Sequence, residues 1–133
     1  MEFAGVNYIA VLCAAVAGMV TGAIWYGVFA KQWMKAVGFE GKDIEQKPSL
    51  YIVAAIAQLI IAYMLAGVIG HLDTYSLSGG IITAIFCWFG FVVTTMAVNH
   101  RFQSRGWDLT IIDGGYWLAV MLLQGAVIGW FGV

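Results

Sequence analysis

The stretch DLTIIDGGYW places Asp113 about one turn inside an apolar run, too deep for the helix-capping role that Asp108 fills at its start. Gln124 lies eleven residues further on. At roughly 100° per residue that returns it to within about 20° of the Asp113 face, with Tyr116, Trp117 and Val120 filling the face between them. A second stretch, NHRFQSR, supplies Asn99, His100, Arg101 and Arg105. A carboxylate, an imidazole and two guanidinium groups offer a closed ion pair, a site for a small anion or solute, or proton transfer, since histidine is the side chain that changes charge near neutral pH. Two readings stand side by side. Asp113 pairs with Arg101 or His100 to close the structure, or these groups join Trp25, Tyr26 and Lys31 in a polar vestibule.

Other chemistries have no support in the residues. There is no phosphate loop, GxGxxG, HExxH, Ser/His/Asp set or CxxCH. No catalytic residue is therefore assigned, and neither a cofactor nor a metal is expected. Cys13 and Cys87 have apolar neighbours and no paired spacing, so they read as small buried hydrophobes. His71 and Asp73 supply two ligands at most, and a solvated turn accounts for them. A net charge of -1 gives no footprint for nucleic acid.

The elements that must position these groups are membrane helices. Of the 133 residues 62% are hydrophobic and 10% charged, where a soluble domain carries about 25% charged residues. Apolar runs cover about 8–29, 50–70, 77–98 and 109–132, each near the ~20 residues that cross a bilayer as a helix. They are continuously apolar, without the alternation of barrel strands. The expected fold is all-α: a single polytopic integral membrane four-helix bundle. Only Glu2 is charged ahead of the first run, so the basic start of a signal peptide is missing and that run is expected to stay in the mature chain.

All six basic residues fall in two gaps, Lys31, Lys35, Lys42 and Lys47 in the first and Arg101 and Arg105 in the last. Alternating spans put both gaps on one side, and Lys and Arg stay cytoplasmic. Both termini are therefore expected outside. In the first gap Lys31, Trp33, Met34, Lys35 and Val37 suit an interfacial helix over about 31–37, lysines to the headgroups and Trp33 at the boundary. Gly38 and Gly41 end it, Pro48 opens the next helix, and Thr74, Ser76 or Ser78 caps the third span.

Small residues recur on three spans. Ala14, Gly18 and Gly22 share a period of four, as do Ala62, Ala66 and Gly70, while Gly125 and Gly129 repeat it on the last span. Such stripes let helix backbones approach closely, and one groove left over would serve a second copy, so a homodimer or homotrimer is expected. Gln58 lies on the second stripe and suits a hydrogen bond between helices. Thr83, Cys87, Gly90 and Thr94 align on one face of the third span as a packing surface. Trp25-Tyr26-Gly27 faintly echoes Trp88-Phe89-Gly90, without amounting to a repeat.

Taken together, GAIWYGVFAKQWMKAVGF, NHRFQSRGWDLTIIDGGYWLAV and four spans in a short chain resemble the small bacterial integral membrane proteins of domain-of-unknown-function family 1761. The resemblance implies the four-helix architecture and a bacterial inner-membrane home, and supplies no activity. It marks Trp25, Tyr26, Trp33, Asn99, His100 and Asp113 as landmarks. The first functional expectation is passage of a small solute or ion, with the Asp113, His100 and Arg101 region as the cytoplasmic mouth. The alternative is a non-catalytic scaffold or accessory subunit that binds a partner protein or lipid.

Overall fold

Apolar runs of this length satisfy their backbone in lipid only as helices. The computed structural model describes residues 5–39 and 47–132, and all regular structure among them is helical. Glu2, Gly41 and Lys42, used above, lie outside the described residues.

Helix α1 (Tyr8–Val28) starts at Asn7, whose side chain accepts the Ile9 and Ala10 N–H groups at 3.1 Å. The helix breaks at Phe29 (φ -101°, ψ 20°) and resumes as α2 (Ala30–Val37). Gly38 ends α2 in the left-handed region (φ 92°), its N–H donating to the Met34 and Lys35 carbonyls. Lys31 and Lys35 are exposed while Ala36 is buried, so α2 is two-faced as its spacing requires. Helix α3 (Pro48–His71) has its proline in the first turn, where a missing N–H costs nothing.

Helix α4 (Leu77–Cys87) is capped by Ser76, whose hydroxyl accepts the Gly79 N–H at 2.9 Å. It runs on through a π-helical stretch, Trp88–Val93, into α5 (Thr94–Phe102), making one span over Leu77–Phe102. The wide π turn is tied by threonines. The Thr94 hydroxyl donates to the Gly90 carbonyl at 2.9 Å, and that of Thr95 lies 2.8 Å from the carbonyls of Phe91 and Val92. An inserted π turn also rotates the helix face. Thr83 is buried while Gly90 and Thr94 are exposed, so the face expected from uniform helical spacing does not persist.

Helix α6 (Trp107–Phe131) begins before its expected cap. Gly106 holds the cap position, and Asp108 lies in the first turn with its Oδ1 accepting the Leu109 N–H at 2.9 Å. A carboxylate there still favours the positive end of the helix dipole.

Helix α6 packs against α1, α3 and α4, and so forms the centre of the bundle. Its far half meets α4 backbone to backbone. A Cβ on Gly80 would overlap the Gly125 carbonyl, one on Gly125 would lie 2.9 Å from the Ala84 Cβ, and one on Gly129 would overlap the Ser76 carbonyl. Ala14, Ala62 and Ala66 are buried in the core with Leu65, Ile69, Met121 and Ile128, and Gly70 is partly buried. The small-residue stripes are therefore filled by contacts within the chain. Both cysteines are free, Cys87 half-buried and Cys13 facing outward instead of into the core.

Candidate functional site

One end of the bundle gathers the end of α1, all of α2, the end of α5 and the start of α6. Lys31, Lys35, Arg101 and Arg105 lie there, and we refer to it as the basic end. The DGG stretch of α6 is its centre. Trp25 of α1 donates its indole N–H to the Ile112 carbonyl at 3.0 Å, and Trp88 of the third span donates to the Gly114 carbonyl at 2.9 Å. Glycine at 115 is needed for the Trp25 approach, and glycine at 114 leaves room for Val93 of the same span as Trp88. A Cβ on Gly115 would lie 2.9 Å from Trp25 Cζ2, and one on Gly114 would lie 3.2 Å from a Val93 methyl. Two indoles thus hold α6 on either side of Asp113.

The Asp113 side chain sits where three other elements meet. Tyr26 donates its hydroxyl to Oδ1 at 2.7 Å. Trp33, from α2, also hydrogen-bonds the carboxyl group. Nε2 of His100 lies 3.9 Å from Oδ2. The Asp113 side chain is 21% exposed and that of His100 12%, so water reaches the pair only narrowly.

A second set of contacts orients the imidazole. Nδ1 of His100 lies 2.7 Å from the Thr110 hydroxyl, which in turn accepts from Nη2 of Arg101 at 2.6 Å. Arg101 is a donor only, so Thr110 accepts from it; in the tautomer that takes the Thr110 hydrogen at Nδ1, the neutral imidazole carries its proton on Nε2, toward Asp113. Arg101 also donates to the Gly106 carbonyl at 2.7 Å, and its guanidinium carbon lies 3.8 Å from the Trp107 ring centroid. Of the two partners expected for Asp113, His100 is the one found; Arg101 instead places Nη2 on Thr110 and Gly106 and its guanidinium over Trp107, leaving Nε and Nη1 without a partner among the described residues.

Deeper in the bundle a chain of neutral polar groups continues. Gln58 of α3 donates to the Tyr116 hydroxyl at 2.9 Å and accepts from Gln124 at 2.8 Å, and Gln124 also reaches the Ala14 carbonyl at 3.4 Å. Two glycines of α1 make room for it. A Cβ on Gly18 would overlap the Gln58 amide oxygen, and one on Gly22 would lie 3.0 Å from the Tyr116 hydroxyl. The Tyr26 and Tyr116 rings meet edge to face with centroids 5.0 Å apart, linking this chain to the Asp113 site. Beyond Gln124 the described interior is mainly apolar, with Ile69 and Ile128 fully buried and Thr83 the one buried polar side chain there.

Of the residues singled out in the sequence, Trp25, Tyr26, His100 and Asp113 come together, with Arg101 one contact away through Thr110. Gln58, Tyr116 and Gln124 form the deeper chain. Asn99 does not join them: it is exposed. Trp33, assigned above to the membrane boundary, instead reaches Asp113. Trp88 and Thr110 were not foreseen. Their signals were present, Trp88 in the WYG/WFG echo and Thr110 at i−3 of Asp113 on the same helix face. Among the described residues no three of His, Cys, Asp or Glu group as a metal site requires.

Four helices long and apolar enough to cross a bilayer, joined around an intramembrane carboxylate, define a small multi-pass membrane protein. The chain belongs to the family described as protein of unknown function (DUF1761), whose model matches residues 9–129. No solved structure matches it.

Proposed function

We propose that the chain handles a proton or small cation at Asp113, as one step in passing a small solute or ion across the bacterial inner membrane. The observation that carries this is the company Asp113 keeps. Tyr26 and Trp33 are neutral donors, and among the described residues the one group within 4 Å able to become positive is His100, which is charged only when protonated. Arg101, which would have been a permanent partner, is engaged by Thr110 and Gly106. A charged group at membrane depth is costly without a counter-charge. With no Lys or Arg in ion-pair contact with Asp113 among the described residues, a mobile proton or cation supplies it. The basic end is the mouth on this reading and faces the cytoplasm by the rule that Lys and Arg stay inside, with both termini outside.

A second reading has its own support. Among the described residues the hydrogen-bonded polar chain stops at Gln124, short of the buried Thr83, so no continuous polar route to the other side is seen in a single copy. An apolar cleft of about 290 Å³, bordered by Met64, Val68, Cys87, Phe91 and Trp117, opens between α3, the third span and α6. That combination suits an accessory subunit whose cleft takes a lipid chain or a partner helix.

Reconstitution decides between them. Purified protein in liposomes under a proton or alkali-cation gradient is expected to dissipate the gradient, Asp113→Asn to abolish the flux and His100→Gln to reduce it. Absence of flux for every ion and small polar solute tried, with Asp113→Asn altering stability alone, removes the transport reading. One partner co-purifying at fixed stoichiometry supports the accessory role. A cysteine at Lys35 labelled only from outside the cell overturns the orientation.

A further inference from the structure

The third span, Leu77–Phe102, is the least covered of the four: 11% of its apolar window is buried, against 28%, 33% and 39% for the others. It meets the bundle along one edge, where Gly80, Ala84 and Trp88 lie against α6. The opposite face exposes Phe91 and Val98, as lipid allows, but also Thr94, Thr95 and Asn99. The threonine hydroxyls are engaged by π-segment carbonyls. The Asn99 amide has no such partner among the described residues.

The relief of this face is specific. Thr95 and Asn99, one turn apart, border two grooves at once: one of about 300 Å³ shared with Thr94 and Val98, the other of about 370 Å³ shared with Met96 and His100. They are a ridge between two grooves. We propose that a second copy of this chain docks here across a two-fold axis, each Thr95–Asn99 ridge seated in a groove of the other copy.

Two observations favour a second copy as the occupant. A ridge beside a groove is self-complementary under a two-fold, as ridge-into-groove helix packing requires. An amide is both donor and acceptor, so two Asn99 side chains facing across the axis satisfy each other, which an apolar partner or a lipid tail cannot do. The small-residue stripes of α1, α3 and α6 are filled within the chain and are not available for this role. Because His100 borders one groove, the docked copy covers the outer edge of the Asp113 site. The interface rests on its own observations and does not depend on the functional reading.

The test uses the full chain in lipid bilayers with Cys13→Ser and Cys87→Ser as background. A single cysteine at Val98, 55% exposed beside the ridge, is expected to give an oxidative dimer, while one at Val16, 62% exposed on α1, gives none. Energy transfer between labelled copies, titrated against lipid, is expected to show Asn99→Leu weakening association roughly three- to twenty-fold, the range for one interhelical hydrogen bond in a membrane. Asn99 is exposed, so the helicity of the variant should match the parent. Equal cross-linking at Val16 and Val98, a monomer at every lipid dilution, or unchanged association of Asn99→Leu would each overturn the proposal.

Discussion

Helix α6 uses pairs of glycines in both of its halves, to opposite ends. Near the basic end, Gly114 and Gly115 face neighbouring side chains, Val93 and Trp25, where Trp25 and Trp88 reach carbonyl oxygens inside the helix. In the far half, Gly125 and Gly129 bring one backbone against another, with Gly80 and Ser76 of the α4 region in direct contact. The first arrangement positions polar groups around a carboxylate, whereas the second excludes everything but main chain. The same residue type is permissive in one place and close-packing in the other, and what differs is whether the neighbour offers an indole or a glycine.

Substitutions can break that comparison at either half. The largest effect is expected from Gly80→Leu or Gly125→Leu, where the obstacle is backbone and cannot rotate away: about 3 kcal/mol or more, read from denaturation in detergent. Next is Gln58→Leu, which strips the buried Tyr116 hydroxyl and the Gln124 amide of their mutual partner, at about 1–3 kcal/mol. Adding Gln124→Leu should recover part of that loss, because an orphaned amide costs more than an absent one. Trp25→Phe and Trp88→Phe should each cost about 0.5–1.5 kcal/mol, since a donor leaves while the helix carbonyl keeps its own bond. If either costs as much as Gly80→Leu, the distinction between the halves fails. The smallest effect belongs to Gly27→Ala and Gly90→Ala, where a Cβ meets nothing within 4 Å and stability should stay within about 0.5 kcal/mol.

Periodicity made the helices legible because lipid leaves the backbone few choices and each apolar run is long. It also placed Asp113, Tyr116 and Gln124 on an inward face, since a regular helix such as α6 keeps its spacing. The same reasoning fails on the third span. The π turn at Trp88–Val93 shifts the register, so Gly90 and Thr94 leave the face that Thr83 occupies. Nothing in the composition of WFGFVV announces such a turn. The partners of Arg101 were hidden for a different reason. A guanidinium at the end of a helix has several acceptors within reach, and sequence spacing does not rank a carboxylate at Asp113 against a hydroxyl at Thr110. Trp33 looked like a boundary residue because an amphipathic helix on a membrane and one folded across a bundle end share the same pattern of lysines and aromatics.

The paired indoles have a vibrational consequence. Ile112 and Gly114 lie inside a helix, and each carbonyl takes an indole N–H from outside it. A second donor weakens a C=O stretch, so isotope-edited infrared bands of these two carbonyls should lie below those of ordinary helical carbonyls. Each band would report on one neighbour separately, α1 through Ile112 and the third span through Gly114. Any movement that separates α6 from one of them while it stays on the other would appear as a shift in one band alone.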